Sequence, residues 1–264
     1  MFAYITDIHG NLKGLRHFVQ EAKIRCPTLK YLLVGGDVTR RPSLTEDWVT
    51  AKNESIAEAC RLFSEFDLQT YFILGNDDIE NPLRALRGPN FLGMTNDVVS
   101  LGNGTGLLGF SYVPPTPFHT RYEREERVLK RMLEPLFRRL GGFRFKIAMC
   151  HAPPHNTILD ITEDWYPGGR KIQVHAGSRT IRTLIEKYPP DIGLFGHLHE
   201  AEGSCKLRRT LCVNPGASNK AVRGCLFGTN WIEGIGEFRP RSLSTNIDSL
   251  CTKFEEFEKL IPRR

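Results

Sequence analysis

The chain has 264 residues, a hydrophobic share of 40% and a net charge of +6 at neutral pH. This length suits one large α/β domain or such a domain with an insertion, and the apolar share is enough for a full core. The mean hydropathy of −0.31 and the lack of any apolar run of about 20 residues argue against a membrane protein. The positive charge suits an anionic substrate or a nucleic acid.

Cysteine usage indicates the compartment. The seven cysteines are scattered, and none belongs to a CxxC pair. This pattern argues against a disulfide framework or a zinc ribbon and favours a reducing environment. The opening residues, MFAYITDIHG, lack the basic, apolar and cleavage regions of a secretory signal. We therefore expect a cytoplasmic protein.

The first third of the chain alternates short apolar runs with helical patterns. Strands are predicted at residues 2–6, 31–34 and 70–74, because each run is apolar, short and followed by turn residues. Helices are predicted between them, at residues 11–23 and 45–66. Such alternation is typical of βαβ units and a largely parallel sheet.

The rest of the chain continues this pattern with longer interruptions. Further strands are predicted at residues 107–112, 144–150, 192–195 and 211–213, and further helices at 122–140, 178–188 and 246–260. Pro135 is expected to kink or divide the helix at 122–140, and Ser178 is expected to cap the helix that follows it. The helix at 122–140 interleaves acidic and basic residues, so a nucleic-acid partner is open but not favoured.

Asp, Asn or His follows each of five predicted strands. These residues are Asp7, His9, Asp37, Asn76, His151, His197 and His199. In a parallel sheet the loops after the strands gather along one edge, where ligands bind. Buried charges must be paired or bind metal, and a mixture of carboxylates and neutral imidazoles suits a pair of divalent ions. Glycines beside these residues, such as Gly36 and Gly75, let the backbone approach closely.

The motifs DIHGN, GGDV, GNDD, CHAPP and GHLH occur in this order along residues 1–218. The ordered set resembles the calcineurin-like metallophosphoesterases. The stretches PTPF, HAGSRTIRTLIEKYPPDIGLFGHLHE and VNPGA resemble a prokaryotic-type subgroup of predicted phosphoesterases. The resemblance implies a four-layer α/β/β/α sandwich of two mixed sheets flanked by helices. We place this domain at residues 1–240, with a helical insertion at 114–143 and a C-terminal helical tail at 241–264.

The same resemblance implies two divalent metal ions. One set of ligands is Asp7, His9, Asp37 and His199, and the other is Asp37, Asn76, His151 and His197. Asp37 is then the bridge. Manganese is the expected metal, with iron, zinc and nickel as alternatives. A hydroxide activated by both ions would attack phosphorus in line, so Asp37, Asn76 and His151 are expected to be catalytic.

The two aspartates of the GNDD motif have different expected roles. Asp78 matches a carboxylate that in the family orients an imidazole, and we include it among the catalytic residues. Asp77 stands where many members have a histidine that contacts phosphate. Its carboxylate would repel a dianionic phosphate, so the sequence favours a phosphodiesterase. A broad phosphomonoesterase or nucleotidase is the alternative.

The remaining substrate contacts have less support from the motifs. Asp77, His155, His175 and Arg40 are the candidates for substrate binding, although a loop histidine or a solvated arginine is an equally ordinary interpretation. The expected partner is a small phosphoester, with a nucleotide as one option, and a homo-oligomer is open. A non-catalytic interaction protein of the same fold is the rival from another class. Such proteins tend to lose ligand histidines, whereas every ligand position is filled here.

Overall fold

The computed structural model of the chain describes residues 1–79, 86–94, 96–166, 170–228 and 232–237. Its helices are α1 (Leu12–Arg25), α2 (Trp48–Glu65), α3 (Glu126–Leu140) and α4 (Arg179–Lys187). Its strands are β1 (Phe2–Ile5), β2 (Tyr31–Gly35), β3 (Gln69–Ile73), β4 (Phe91–Gly93), β5 (Asp97–Gly102), β6 (Thr105–Phe110), β7 (Phe145–Cys150), β8 (Ile161–Tyr166), β9 (Arg170–His175), β10 (Ile192–Leu194), β11 (Gly203–Leu207), β12 (Thr210–Asn214), β13 (Arg223–Phe227) and β14 (Ile232–Gly236).

Two mixed six-stranded sheets form the centre of the molecule. The first has the order β14-β13-β1-β2-β3-β4 and the second the order β11-β12-β10-β7-β6-β5, while β8 and β9 form a separate hairpin. Pairing is parallel from β1 through β4 and among β6, β7, β10 and β12. Antiparallel strands complete the edges. The predicted sandwich of two mixed sheets flanked by helices is confirmed.

Successive residues of a strand point to opposite faces of its sheet, and the two faces pack into different parts of the core. In β1, Phe2 and Tyr4 pack with residues of the second sheet, such as Leu194, in the cluster between the two sheets. Ala3 and Ile5 belong instead to the cluster that includes the buried faces of the helices. This division follows from the two-residue period of a strand. Both faces are covered, so the parallel strands read as continuous apolar runs.

Most predicted elements are confirmed within a few residues, and the misses have local causes. Ser178 caps α4, because its Oγ accepts a hydrogen bond from the Ile181 amide at 3.1 Å. Pro135 lies inside one helix, α3, and does not divide it. Strands β4, β5, β8, β9, β11, β13 and β14 were not predicted, since they are short, partly exposed or rich in glycine. The helix predicted at 246–260 and the tail at 241–264 lie outside the described residues.

The charged helix of the predicted insertion is part of the helical layer. Leu129 and Leu133 of α3 are fully buried, and Glu126 accepts hydrogen bonds from the backbone amides of Arg179 and Thr180 at the start of α4. Thus α3 packs on the second sheet with α4 beside it. Across the described residues, every helix is too short or too polar to span a bilayer.

Candidate metal centre

Loops that leave the parallel strands meet at one edge of the sandwich. The loop after β1 runs alongside the loop after β2, with the Asp7 amide donating to Gly36 O at 3.0 Å and the His9 amide donating to Asp37 O at 2.8 Å. The loop after β10 joins them, since the His197 amide lies 3.1 Å from Asp7 Oδ2. Backbone hydrogen bonds therefore join the first two loops, and the Asp7 carboxylate accepts the bond that joins the loop of the second sheet to them.

Several predicted ligands have an unusual backbone conformation. Asp7, His9, Asp37 and His197 have φ angles of 50°, 45°, 47° and 68°. Left-handed conformations are costly for residues other than glycine and concentrate at functional sites. Here the left-handed backbone lies in tight turns and directs the four side chains toward a common point. This indicates that these positions serve a binding site and not the packing of the core.

Four side chains form a compact group of potential metal ligands. One ligand atom from each of Asp7, His9, Asp37 and His199 lies within 4.8 Å of the others. The Nε2 atoms of His9 and His199 are 3.2 Å apart, and His199 Nε2 is 3.3 Å from Asp7 Oδ1. Asp7 and Asp37 are buried. This group matches the first predicted ligand set.

The second predicted ligand set meets around His151. Its Nε2 atom is 3.2 Å from Asn76 Oδ1 and 3.5 Å from Asp37 Oδ2. The rings of His151 and His197 have centroids 5.3 Å apart. His151 Nδ1 lies 2.8 Å from Gly35 O, and a carbonyl can only accept a hydrogen bond. Nδ1 therefore carries a proton, and Nε2 can offer its electron pair to a cation once its own proton is lost.

Two glycines make this close approach feasible, as the sequence predicted. A Cβ at Gly36, where φ is +104°, would lie 2.6 Å from His151 Nδ1. A Cβ at Gly75 would lie 2.2 Å from Asp37 Oδ1 and 2.5 Å from His151 Nε2. Any larger residue at either position would displace a predicted ligand.

The electrostatics of the cluster reflect an excess of buried negative charge. Burial by itself would lower the pKa of His151, yet the nearby Asp37 carboxylate raises it to about 9. Burial and the charge on His151 lower the pKa of His197 to about 4. Burial would raise the pKa of Asp37, but the charge and hydrogen bond of His151 hold it well below its ordinary value. The carboxylates thus draw positive charge onto an imidazole.

These residues fit divalent metal ions. Buried carboxylates need a compensating cation, and neutral imidazoles with carboxylate and amide oxygens are ordinary ligands for manganese, iron, zinc and nickel. A cation between His9 Nε2 and His199 Nε2 would also satisfy two ring nitrogens that face each other at 3.2 Å. The donor set and its burial therefore support metal binding.

Asp78 has contacts that differ from those predicted for it. Its carboxylate accepts hydrogen bonds from the amides of Val38, Thr39 and Gly75 at 3.1, 2.8 and 2.9 Å and from the Thr39 hydroxyl at 2.6 Å. Burial and the charge on Asp37 raise its pKa. Its hydrogen bonds go to the backbone loops after β2 and β3, whereas an imidazole partner was predicted.

Asp77 instead occupies the place beside an imidazole. Its Oδ2 atom is 3.4 Å from His9 Nδ1 and 3.5 Å from Lys52 Nζ. Arg41 Nε lies 3.6 Å from the same oxygen. The guanidinium of Arg40, by contrast, is held by Glu46, with Nη1 and Oε2 2.8 Å apart. The structure therefore brings Arg41 toward the centre and ties Arg40 to a loop carboxylate.

Sequence reasoning missed Lys52, although one signal was available. It belongs to the buried side of α2 with Ala51, Ser55 and Ile56. A lysine on the apolar side of an amphipathic helix is uncommon and calls for a partner. That partner lies on the loop after β3, which only the packing of α2 could reveal.

His155 and His175 come together around a third residue. Asp160 is fully buried, with Oδ1 2.7 Å from His175 Nδ1 and Oδ2 3.4 Å from His155 Nδ1. The two imidazole rings have centroids 5.7 Å apart and meet edge to face. Asp160 also accepts from the amides of Asn156 and Thr157. The structure thus pairs the two predicted histidines through a carboxylate that was not predicted.

Comparison with known proteins gives the family. Residues 1–201 match the family described as calcineurin-like phosphoesterase. The chain belongs to this family. An uncharacterised protein of Methanocaldococcus jannaschii is 27% identical over 214 residues, which cover 80% of this chain and 85% of that protein. The match confirms the family that the ordered motifs resemble.

Solved structures share the fold. The crystal structure of TT1561 of Thermus thermophilus has a TM-score of 0.62 at 15% identity and covers 89% of this chain and 97% of its own. A putative 5′-nucleotidase from Staphylococcus aureus has a TM-score of 0.58 at 13% identity, covering 97% of this chain and 58% of its own. Membership of the calcineurin-like phosphoesterases supports metal-dependent hydrolysis of phosphoesters at a binuclear divalent centre.

Proposed function

We propose that the protein is a phosphodiesterase that uses two divalent ions, with manganese the expected metal. The observation that carries this proposal is the group of Asp7, His9, Asp37 and His199, whose ligand atoms lie within 4.8 Å of one another. The contacts of His151 with Asn76 and Asp37 support a second position. Two ions held there would polarise the phosphoryl group and lower the pKa of a water molecule.

In this proposal the side chains have distinct tasks. Asp37 would serve both positions, because its Oδ2 atom lies 3.8 Å from His9 Nε2 and 3.5 Å from His151 Nε2. Asn76 supplies a neutral amide oxygen, which adds a ligand without adding charge. The hydrogen bond from His151 Nδ1 to Gly35 O fixes the ring so that Nε2 faces the centre. The backbone thereby holds the ligands in place before a substrate arrives.

His155 and His175 are proposed as substrate contacts. Asp160 engages the Nδ1 atom of each ring, which leaves both Nε2 atoms available to a phosphate oxygen. His155 is 25% exposed and His175 38% exposed at the side chain, so a solute can reach them. His155 also lies in the loop that begins at His151. Substituting either ring should raise KM more than it lowers kcat.

The test compares two esters on one protein. Metal-stripped protein is loaded in turn with Mn²⁺, Fe²⁺, Zn²⁺ and Ni²⁺, and hydrolysis of bis(4-nitrophenyl) phosphate and 4-nitrophenyl phosphate is measured. We expect faster turnover of the diester with Mn²⁺ and its loss in His151→Ala. His17→Ala is the matched control, since its side chain is 69% exposed on α1. Two bound ions without turnover of either ester would favour a non-catalytic role.

A phosphomonoesterase or nucleotidase is the second candidate. The preference for diesters rests on repulsion between Asp77 and a dianionic phosphate. Lys52 and Arg41 both lie close to that carboxylate, at 3.5 and 3.6 Å from Oδ2. Their charges offset the repulsion and favour acceptance of a monoester. Faster turnover of the monoester in the same assay would decide for this candidate.

A further inference from the structure

Three buried polar atoms that lack a hydrogen bond meet at the edge of the metal centre. They are His9 Nδ1, Lys52 Nζ and Asp77 Oδ2, and the two nitrogens lie 3.4 and 3.5 Å from the oxygen. Among the described residues, eight buried side-chain atoms have no such partner. Native proteins leave few groups in this state, and a bound molecule often completes the network. The two nitrogens share one carboxylate oxygen, so the charges of His9, Lys52 and Asp77 are coupled at this edge of the metal centre.

Lys52 is the most unusual member of this group. Its side chain is fully buried, with 0% exposed. The Arg40 amide donates to Ser55 Oγ at 3.0 Å, which holds α2, and with it Lys52, against the loop after β2. An ammonium group has three N–H donors and loses strong hydration when it is buried. A single carboxylate at 3.5 Å leaves most of that capacity unused. The lysine therefore acts on the site through the Asp77 carboxylate.

The position of Asp77 connects this lysine to the reacting centre. The Asp77 amide donates to Asp37 Oδ1 at 2.8 Å, and Asp37 is the proposed bridge between the metal ions. The Asp77 carboxylate oxygen is shared by Lys52 and by Arg41. Lys52 and Arg41 together offset the negative charge of Asp77. A phosphoryl group that approaches the centre would therefore meet less repulsion from this carboxylate.

We propose that Lys52, through its ion pair with Asp77, sets the charge of the phosphoryl group that the site accepts. With the lysine present, the second negative charge of a monoester is tolerated beside Asp77. Without it, the carboxylate repels that charge, and the singly charged diester is favoured. The proposal rests on the phosphoesterase function proposed above and identifies a residue that determines its substrate class.

Four forms of the protein test the idea: the wild type, Lys52→Met, Asp77→Asn and the double variant. The readout is the ratio of kcat/KM for 4-nitrophenyl phosphate to that for bis(4-nitrophenyl) phosphate at about pH 8, where the monoester is a dianion. We expect Lys52→Met to lower the ratio about tenfold and Asp77→Asn to raise it, with the double variant near the wild type. Lys30→Met, at an exposed position, should leave the ratio unchanged.

A purely structural lysine predicts a different result. If Lys52 only supports the fold, Lys52→Met should lose turnover of both esters in proportion, and its ratio should equal that of the wild type. That result would overturn the proposal. Lys52→Arg provides a second variant in case Lys52→Met does not fold. It retains the charge and should retain a ratio within about threefold of the wild type, whereas a collapse of the ratio in this variant would contradict charge selection.

A binding measurement separates this inference from the proposed function. Calorimetry of the Mn²⁺-loaded protein compares inorganic phosphate with dimethyl phosphate, and Lys52→Met should weaken only the former, by about tenfold. If the wild type hydrolyses neither ester but this difference is found, the proposed function fails and charge selection stands. If the wild type is active and the difference is absent, the inference fails alone.

Discussion

Replacing Asp78 by alanine should destabilise the protein through its backbone loops. Asp78 is 1% exposed, and its carboxylate accepts hydrogen bonds from the amides of Val38, Thr39 and Gly75. A buried donor that loses its acceptor costs roughly 1–3 kcal/mol. Relief of the repulsion between Asp78 and Asp37 and entry of water offset part of this cost. We therefore expect a loss of about 3 kcal/mol in the free energy of unfolding.

The loops that Asp78 holds carry predicted ligands, so metal affinity should fall as well. Asp37 lies directly before Val38, and Asn76 directly after Gly75. Loss of a residue that positions ligands commonly weakens metal binding by roughly 10–100-fold, and we expect an effect in this range. Asp78→Asn retains one acceptor oxygen and should have a smaller effect on both quantities.

The assay is urea unfolding of chelator-treated protein, followed by metal titration. Asp67→Ala is the matched control, since Asp67 is fully exposed and its contact with Lys23 is 3.9 Å long. It should change stability by less than about 0.5 kcal/mol. If Asp78→Ala kept wild-type stability and metal affinity but lost turnover, Asp78 would act in the chemistry and the reasoning from backbone contacts would be wrong.

Three further predictions concern the metal and the core. Burial opposes protonation of His151, but Asp37 raises its pKa from 6.5 to about 9. In metal-free protein the ion pair of protonated His151 with Asp37 stabilises the fold fully below pH 6.5, and this stabilisation is lost as pH rises through 9. The gain in Tm on adding Mn²⁺ should therefore grow between these two pH values. His151→Ala should reduce bound Mn²⁺ from two ions to one, as measured by elemental analysis. Phe72→Ala should cost about 3–5 kcal/mol in urea unfolding, because its buried ring packs against Phe63 at 5.2 Å between centroids.

Each of these has a clear contrary result. A gain in Tm that shrinks between pH 6.5 and 9 would mean that the His151 proton does not compete with the metal. Two ions retained in His151→Ala would remove this histidine from the ligand set. A loss below about 1 kcal/mol in Phe72→Ala would show that the site relaxes around the missing ring.

The sequence alone predicted the family and the sandwich, which are confirmed, and it supplied the candidate ligands. Asp7, Asp37 and His151 follow apolar strands, and parallel strands must deliver such residues to the same edge. This inference needs only chain order and strand direction, which local patterns contain. The same holds for Ser178, whose capping role depends on the residues that immediately follow it.

The tertiary structure decided the contacts between residues on separate elements. Lys52 meets Asp77 only because α2 packs its buried side toward the loop after β3. Asp78 and Asp160 gain their hydrogen bonds from loops whose mutual position no local pattern specifies. Charge pairing and hydrogen bonding act over a few ångströms, so they depend on how the layers pack. The charge around the predicted phosphate position is therefore a property of the fold and not of the GNDD motif alone.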